Sequence, residues 1–515
     1  MNEPATLPAL WPASTSAARA RTAWAVLAIA GVGWVLRAIP LIKAGAFGYP
    51  VDYDEGVYFA SSALLLKGVL PYRDFVFVHP PGLLYFLAPV ASLGVLRDPS
   101  FGFAAARWLA TLVGCANILV LGRLTMRWAG PVAAIVAAGV YATHPAAVPA
   151  ERGPFIEPVL NLACLMLAWA WLSDGESAQT RSRAIASGVL CGVATTVKMW
   201  GALWLLACLF SRPRYRSRVD RVAFVVAAAM TFVLLAFPLA VAAPKSFLSQ
   251  DILFHLLRPA DGPVSWLDRL GAVFWVHGQL PKSLLVVGGL SLAHLRGRDP
   301  SRAGERFFAF AFIAILSAFL FSSTYWGQYN AHLAVPESAL AGYAGAALWA
   351  WAMRGVTRAR STAVAAVLAA IPCLGARRAI LTGVRRSPDL VAVGQFIRAS
   401  VPASARIVSF EPAWVVAGGR LPDTAEGKTV VDSYGTMLID AASTGRRFSS
   451  ATEAFRDEAS QRRMREALDA SRFAIVGDRG YWEMSPQTQQ WFRTRFVQRF
   501  PPAGVEGIDV WERAH

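Results

Sequence analysis

The stretch VDYDEGVYF, residues 51–59, places three carboxylates directly after the first long apolar run of the chain. Asp52, Asp54 and Glu55 therefore stand beside a hydrophobic segment, where an isolated charge is costly. Such acids need either a watery loop or oppositely charged partners. The apolar runs and the basic clusters along the rest of the chain decide which of the two applies.

The composition is that of a polytopic membrane protein. The 515 residues are 55% hydrophobic and only 16% charged, and the mean hydropathy is +0.42. A soluble chain normally carries about 25% charged residues. Several apolar windows approach or exceed the roughly 20 residues that a helix needs to cross a bilayer. We therefore expect an integral, multi-pass protein of the cell (inner or plasma) membrane, surrounded by membrane lipids.

The net charge of +17 is concentrated in clusters between apolar runs. Three of these clusters read RPRYRSRVDR at 212–221, RGRDPSRAGER at 296–306 and RGVTRAR at 354–360. The cytoplasmic loops of membrane proteins carry this kind of arginine excess. The clusters therefore favour cytoplasmic loops over a nucleic-acid surface, and we expect no nucleic-acid partner.

Placing the basic loops in the cytoplasm predicts a polytopic α-helical protein with a cytoplasmic N-terminus and about eleven transmembrane helices. A first helix at 23–41 runs outward, and a helix at 102–122 returns to Arg123 and Arg127. The broken apolar piece 79–96 then lies along the outer surface instead of crossing. Later helices are predicted at 130–147, 157–172, 222–243, 272–294, 307–323, 333–353 and 361–375, with an external loop at 244–270.

The run AIASGVLCGVATTVKMWGALWLLACLF, residues 184–210, is the exception to this regular pattern. A single helix here would carry the basic cluster at 212–221 to the outside. Two short helices that turn near Lys198 return the cluster to the cytoplasm and keep Lys198 out of the lipid. We therefore predict a re-entrant pair with Lys198 at its outward-facing tip.

The last part of the chain, 376–515, has a different pattern. The short apolar runs ARIVSF and RFAIVGD are typical of buried strands, and SATEAFRDEASQRRMREALDA and SPQTQQWFRTRFVQRF are typical of helices. Strands that alternate with helices predict a small α/β domain. The predicted organisation is a cytoplasmic tail at 1–22, a transmembrane domain at 23–375 and an extracytoplasmic α/β domain at 376–515.

This topology gathers carboxylates and cations at the outer face of the membrane. A carboxylate can take a proton from an attacking hydroxyl. Arginine, lysine and histidine can hold a phosphate and stabilise the charge that develops on it. The residues gathered there are Asp52, Asp54, Glu55, Tyr72, Arg73, Asp74, His79, Glu151, Arg152, Glu157, Lys198, His255, Arg258, Tyr325, Gln328, Tyr329 and His332.

The segment DYDEGVYFASSALLLKGVLPYRDFVFVHPPGLLYFLAP, residues 52–89, resembles the first external loop of polyprenyl-phosphate-sugar-dependent glycosyltransferases of the GT-C fold class. These include bacterial relatives of protein O-mannosyltransferases and of lipid A aminoarabinose transferases. The family pattern is an acidic pair, a Gly-x-x-Pro-Tyr-x-Asp element, and His or Lys before Pro-Pro. The chain has Asp54-Glu55, GVLPYRD and HPP at these places, and the likeness extends over about residues 23–375. The WGQYNAHLAVP loop departs from it, with Gln328-Tyr329 in place of the family's His-Tyr pair.

The resemblance implies an extracytoplasmic hexosyl- or pentosyltransferase that acts on cell-envelope glycans, lipids or proteins. The donor would be a sugar on a polyprenyl phosphate. Asp54 would be the general base on the acceptor hydroxyl, Glu55 would position a substrate, and the anomeric configuration would be inverted. The implied ligands of the donor phosphate are Arg152, Lys198, Arg258 and His332, and the implied substrate contacts are His79, Tyr72, Glu157 and Tyr329.

The resemblance leaves the metal question open, because some members need a divalent metal near the acidic pair and others do not. The alternatives are therefore no cofactor, or Mg, Mn or Zn at Asp54 and Glu55. Two other functions are also open at this point: a transporter or flippase, and a non-catalytic membrane scaffold with an external binding domain. The placement of the ionisable residues in outer loops and the lack of paired repeat halves both disfavour a transporter.

The predicted topology can be tested with a reporter fused after residue 376. We expect a periplasmic-type reporter such as alkaline phosphatase to be active at this position, because the arginine distribution puts the C-terminal domain outside. A reporter that is active only in the cytoplasm would contradict the helix parity.

Overall fold

The computed structural model describes residues 16–45, 48, 52–172, 180–211, 217–260, 265–274, 280–295, 302–354, 358–384, 388–424, 429–500 and 507–514. Most of the predicted cytoplasmic tail lies outside these residues, as do parts of the three basic clusters, at 212–216, 296–301 and 355–357.

The first three quarters of the chain are helical. The helices are α1 Ser16–Ala44, α2 Tyr53–Leu66, α3 Gly82–Leu96, α4 Pro99–Ala142, α5 Ala147–Ala150, α6 Ile156–Trp171, α7 Thr180–Val197, α8 Leu203–Ser211, α9 Arg218–Ala242, α10 Pro244–Phe247, α11 Phe254–Leu257, α12 Trp266–Phe274, α13 Leu280–Leu295, α14 Ala303–Phe321, α15 Asn330–Met353 and α16 Arg358–Leu381. Within the described residues, five of them (α1, α4, α9, α14 and α16) are long and apolar enough to cross a membrane. The total of about eleven crossings stays a prediction.

Helix α4 is two helices that meet at Gly130, between the two predicted spans 102–122 and 130–147. Gly130 has a φ of +82°, a conformation that suits glycine, and the residue after it is a proline. Gly33 of α1 packs against both Ile118 and Ala142. A straight helix would hold those two residues roughly 36 Å apart. The chain therefore reverses at Gly130.

The predicted turn at Lys198 is confirmed. Lys198 has extended backbone angles, with φ −156° and ψ 139°, and separates α7 from a short 3₁₀ turn that leads into α8. A Cβ on Gly201 would lie 2.3 Å from the carbonyl carbon of Ala194, so the chain folds back closely on α7. At the far end of α8, Ser211 accepts a hydrogen bond from Trp171 at the end of α6 (3.4 Å).

Two other expectations differ from the structure. The predicted single helix at 272–294 is instead two helices, α12 and α13, and the five residues between them lie outside the described part. Pro281 stands in the first turn of α13, where a proline starts a helix without loss of a hydrogen bond. The predicted external loop at 244–270 is also largely helical, since α10, a π-turn at Leu248–Leu253 and α11 follow one another.

The elements that flank two of the basic clusters, 212–221 and 296–306, meet at the end of α8. Gly304 at the start of α14 packs against Trp128 of α4. Arg306 Nε donates to the carbonyl oxygen of Ser211 at 3.2 Å. Lys198 precedes the start of α8 and Ser211 is its last residue, so the contacts at Ser211 and the Lys198 turn are separated by the length of this helix.

The C-terminal part is an α/β unit. Its elements are α17 Pro388–Ser400, β1 Ile407–Ser409, α18 Pro412–Ala417, α19 Ser433–Ser443, α20 Ala451–Phe455, α21 Glu458–Asp469, β2 Phe473–Gly477, α22 Asp478–Glu483, α23 Pro486–Arg495, β3 Phe496–Phe500 and β4 Ile508–Arg513. The strand order is β1-β2-β4-β3, with β1 parallel to β2 and the other pairs antiparallel. Both predicted strands are present. The predicted helix SPQTQQWFRTRFVQRF ends at Arg495, however, and its last five residues form β3.

The α/β unit docks on the start of α2 through a very close backbone contact. A Cβ on Gly56 would lie 2.5 Å from the backbone nitrogen of Ala413 in α18. Three residues earlier, the Tyr53 hydroxyl donates to Asp432 Oδ1 at 2.7 Å. Gly56 thus allows α2 and α18 to approach, and this contact places the α/β unit beside the acidic stretch of the chain.

We expect Gly56→Ala to loosen this docking, because the added methyl group meets backbone that cannot rotate away. Such overpacking costs about 1–3 kcal/mol. The measurement is thermal unfolding in detergent, together with the rate at which trypsin releases the α/β unit. The control is Gly31→Ala in α1, where an added Cβ meets nothing within 4 Å. Equal stability and equal protease resistance of the two variants would contradict the docking contact.

Candidate active site

A cavity of about 170 Å³ is formed where several elements of the chain meet. These elements are the start of α2, the His79 loop, the Lys198 turn, the end of α11, the loop before α15 and the α/β unit. Its wall contains acids, cations and aromatic rings from all of these elements. The lining residues are Asp52, Tyr53, Asp54, Val57, Tyr58, Phe77, Val78, His79, Glu157, Lys198, Phe254, Arg258, Trp326, Gln328, Tyr329, Asp432, Tyr434 and Arg479.

Asp54 lies in the first turn of α2. Asp52 caps this helix, since its Oδ1 accepts from the backbone nitrogen of Asp54 at 3.0 Å. Gln328 Nε2 donates to Asp54 Oδ2 at 2.6 Å. Burial raises the pKa of Asp54 to about 8, with further increases from the nearby charges of Asp52, Asp432 and Glu157. The carboxyl group is thus oriented by an amide and is much more basic than an ordinary aspartate.

Lys198 supplies a buried cation to the same cavity. Its Nζ donates to Glu157 Oε1 at 2.8 Å and lies 3.8 Å from the centre of the Trp200 ring and 4.4 Å from that of Tyr329. The backbone break at Lys198 turns the side chain inward, and the ion pair and the two rings hold it there. Arg258, at the end of α11, adds a second cation beside Phe254 and donates to the Tyr434 hydroxyl at 3.4 Å.

His79 occupies the wall between the acids and the cations. Its Nε2 lies 3.3 Å from the Tyr58 hydroxyl, and its ring stacks on His255 at 5.6 Å. Its Nδ1 is buried and has no hydrogen-bond partner among the described residues. Burial, His255 and the nearby cations lower the pKa of His79 well below its usual value. The His79 ring is therefore neutral. The motif HPPG holds it in place, since Gly82 packs directly on the backbone of Thr196.

Three lining residues, Asp432, Tyr434 and Arg479, come from the α/β unit, and sequence reasoning missed all of them. The Arg479 guanidinium lies 3.9 Å from the centre of the Tyr53 ring, and its Nε is 3.6 Å from Glu411 Oε1. One signal could have found Arg479. Glu411 and Arg479 follow the parallel strands β1 and β2, and the carboxyl ends of parallel strands share one edge of a sheet, where ligands commonly bind. The sequence around Asp432 indicates only that this residue caps the N-terminus of α19.

Six of the ten residues predicted for the site line this cavity: Asp54, His79, Glu157, Lys198, Arg258 and Tyr329. Tyr72 does not. It packs against Phe247, and its hydroxyl donates to the carbonyl oxygen of His79 at 2.5 Å. Tyr72 is also the one described non-glycine residue with a positive φ (+67°), which turns the chain toward His79. Tyr72 was predicted to contact the substrate, but in the structure it contacts the backbone of the His79 loop.

Glu55 also lies outside the cavity. It is buried and paired with the guanidinium of Arg107 in α4. The predicted contact with a substrate does not agree with this position, because successive residues at the start of a helix point about 100° apart. A metal at Asp54 and Glu55 stays a prediction, with Glu55 Oε2 paired to Arg107. In the described parts of the chain, no group of three or more His, Cys, Asp or Glu residues is arranged to hold a metal ion.

Arg152 and His332, predicted as phosphate ligands, have other partners. Arg152 donates to the carbonyl oxygens of Leu36 (2.9 Å) and Ala379 (3.0 Å), which belong to α1 and α16. His332 is fully buried. Trp204 Nε1 donates to its Nε2 at 3.0 Å, so its proton is on Nδ1, which lies 2.8 Å from Asn161 Oδ1. Both side chains thus tie helices together, and their predicted roles at the phosphate do not agree with these contacts.

The arrangement combines a base and an anion site in one cavity. Asp54 can accept a proton from a hydroxyl group, and Lys198 and Arg258 can hold a phosphate. This combination suits the displacement of a phosphate leaving group by a hydroxyl.

Comparisons with known proteins concern part of the sequence and the fold. Residues 77–323 match the sequence model described as glycosyltransferase family 87. No curated protein matches the chain. The structure is similar to that of ArnT from Cupriavidus metallidurans bound to undecaprenyl phosphate, with a TM-score of 0.60, 14% identity, and coverage of 97% of this chain and 98% of ArnT.

It is also similar to the oligosaccharyltransferase AglB from Archaeoglobus fulgidus in complex with an inhibitory peptide and a dolichol-phosphate. The TM-score is 0.59 and the identity 10%, over 97% of this chain and 75% of AglB. At these identities the likeness shows a shared fold, while the family match concerns the sequence itself. The resemblance to GT-C glycosyltransferases is therefore confirmed: the chain has the fold of these enzymes, and residues 77–323 match glycosyltransferase family 87.

Proposed function

We propose that this protein transfers a sugar from a polyprenyl-phosphate donor to an acceptor hydroxyl on the extracytoplasmic face of the cell membrane, with inversion at the anomeric carbon. The observation that carries the proposal is the single cavity in which Asp54 faces Lys198 and Arg258. The undecaprenyl phosphate bound to ArnT and the dolichol-phosphate bound to AglB support the choice of carrier.

In the proposed reaction, Asp54 takes the proton of the acceptor hydroxyl. The oxygen then attacks the anomeric carbon from the side opposite the phosphate, and the bond between that carbon and the phosphate oxygen breaks. The electron pair leaves with the polyprenyl phosphate. Lys198 and Arg258 stabilise the negative charge that grows on this phosphate, and they are already oriented by Glu157 and Tyr434.

The distribution of arginines supports an extracytoplasmic site. Two of the basic clusters, 212–221 and 296–306, flank elements that meet at the end of α8 away from Lys198, and cytoplasmic loops carry such clusters. With those clusters in the cytoplasm, the cavity and the α/β unit face outward. The steps of the proposed reaction are assigned to side chains of the cavity, and the requirement for a divalent metal stays a separate question for the transfer assay.

The role of Asp54 is tested with purified protein and polyprenyl-phosphate-linked sugars, by following the release of polyprenyl phosphate. We expect Asp54→Asn to reduce kcat by about 10²–10⁴-fold, since asparagine cannot accept the proton. Asp74→Asn is the matched control, because Asp74 lies in the loop between α2 and α3 and pairs with Arg73 outside the cavity. Full turnover by Asp54→Asn would remove Asp54 from the role of base.

The pH profile gives a second readout of the same residue. Because the pKa of Asp54 is raised to about 8, its basic form increases as the pH rises through this value. We therefore expect kcat/KM of the wild type to rise with pH and to level off above about 8. A kcat/KM that falls over this range would contradict Asp54 as the base.

The phosphate ligands are tested by a pair of substitutions. We expect Lys198→Gln to raise the donor KM about tenfold or more, because a charged hydrogen bond to the phosphate is lost. Arg152→Gln should lower the melting temperature and leave the donor KM unchanged, because Arg152 bonds helix carbonyls. The reverse pattern, with donor KM raised by Arg152→Gln alone, would favour Arg152 as the phosphate ligand.

A further inference from the structure

A groove of about 270 Å³ lies between α1 and the first half of α4. It shares no lining residue with the cavity around Asp54. The two helices are in close contact within it, since a Cβ on Gly122 would lie 2.6 Å from Val26 Cγ1. Arg19 of α1 and Arg123 of α4 line it from the two sides, and we call it the α1–α4 groove.

The two arginines of the groove lie at the same end of their helices. Val26 of α1 packs against Gly122 of α4, and Gly33, further along α1, packs against Ile118, which precedes Gly122. The two helices are therefore antiparallel. The residues before Val26 in α1 and those after Gly122 in α4 share one end of the molecule, so both guanidinium groups belong to that end.

This end is the predicted cytoplasmic one. Trp128, five residues after Arg123, packs against Gly304, which belongs to the basic cluster 296–306. Cytoplasmic loops carry such clusters. Trp24 also lines the groove and is 71% exposed, and tryptophan is enriched at the level of the lipid headgroups. The α1–α4 groove therefore lies at the headgroup level of the cytoplasmic leaflet.

The positive charge of the groove has no counterpart in its walls. The described residues that line it include two arginines and no acid. Neither guanidinium group has a hydrogen bond or an ion pair with another described residue. Between them, the Thr22 hydroxyl donates to the carbonyl oxygen of Ala18 at 2.9 Å, which leaves its own oxygen able to accept. The polar part of the groove thus suits an anion that also carries a hydroxyl group.

The rest of the groove is apolar and opens toward the lipid. Its side chains there include Leu27, Leu119 and Met126, and Leu27 is 48% exposed. The volume is just below the range of about 300–1,000 Å³ that is typical of sites for whole small molecules. A headgroup fits this space if its acyl chains continue outside it along the exposed leucine. Basic pockets between helices on the cytoplasmic side commonly bind anionic lipid headgroups.

We propose that the α1–α4 groove binds an anionic phospholipid of the cytoplasmic leaflet, with its phosphate between Arg19 and Arg123 and an acyl chain along Leu27. A zwitterionic phospholipid fits less well, because no lining acid pairs with its cationic group. This lipid site goes beyond the proposed function, since no residue of the groove takes part in the transfer reaction.

The test is native mass spectrometry of the full-length protein in detergent, titrated with phosphatidylglycerol or with phosphatidylcholine of the same acyl chains. We expect phosphatidylglycerol to bind at one site about tenfold or more tightly. The double variant Arg19→Gln with Arg123→Gln should lose this preference, because the charged hydrogen bonds to the phosphate are lost. The matched control, Arg21→Gln with Arg218→Gln, removes two exposed arginines of α1 and α9 that do not line the groove, and it should keep the preference.

A further variant, Ala23→Phe, fills the groove and should weaken phosphatidylglycerol binding without removing a charge. The melting temperature of both double variants should equal that of the wild type, because all four arginines are exposed. The inference is overturned if the two phospholipids bind equally or if both double variants lose the preference to the same extent. It is also overturned if glycerol phosphate at equal concentration displaces the lipid, which would indicate a site for a soluble phosphate. None of these measurements uses turnover, so they stand apart from the outcome for the proposed function.

Discussion

Lys198 stands at the point where the chain reverses between α7 and α8, and Glu157 holds its ammonium group at 2.8 Å. A buried cation without this partner would be too costly to keep, and the reversal would lose the charge that makes the cavity attractive to a phosphate. The ion pair between Lys198 and Glu157 therefore stabilises the chain reversal and also keeps a positive charge in the cavity. Gly82 of the HPPG segment packs against the backbone of Thr196 beside this turn, and His79 thereby lies in the same cavity as Lys198.

The α/β unit completes the site from the other side. Tyr53, next to Asp54, donates to Asp432 and packs against the guanidinium of Arg479. These three residues therefore join the α/β unit to α2 and also line the cavity. The close approach at Gly56 holds this contact. A change in the docking of the α/β unit would therefore change the surroundings of Asp54, including the charge of Asp432 that raises its pKa.

The sequence was sufficient to predict the Lys198 turn, the two strands β1 and β2, and the six cavity residues that belong to the recognised pattern or to the outer loops. It was not sufficient for residues whose partners are distant in sequence. The partners of Arg152 are carbonyls of α1 and α16, and those of His332 are side chains of α6 and α8; periodicity does not reveal either set. Asp432 and Arg479 were missed because docking of the α/β unit places them.

The central claim is that the polyprenyl phosphate of the donor is held by Lys198 and Arg258, with Asp54 on the far side of the sugar. A cryo-EM structure of the protein in nanodiscs with undecaprenyl phosphate tests it most directly. The account predicts phosphate density within hydrogen-bond distance, about 3 Å, of Lys198 Nζ and of the Arg258 guanidinium. Phosphate density beside Lys282 of α13, with the cavity around Asp54 empty, would contradict it.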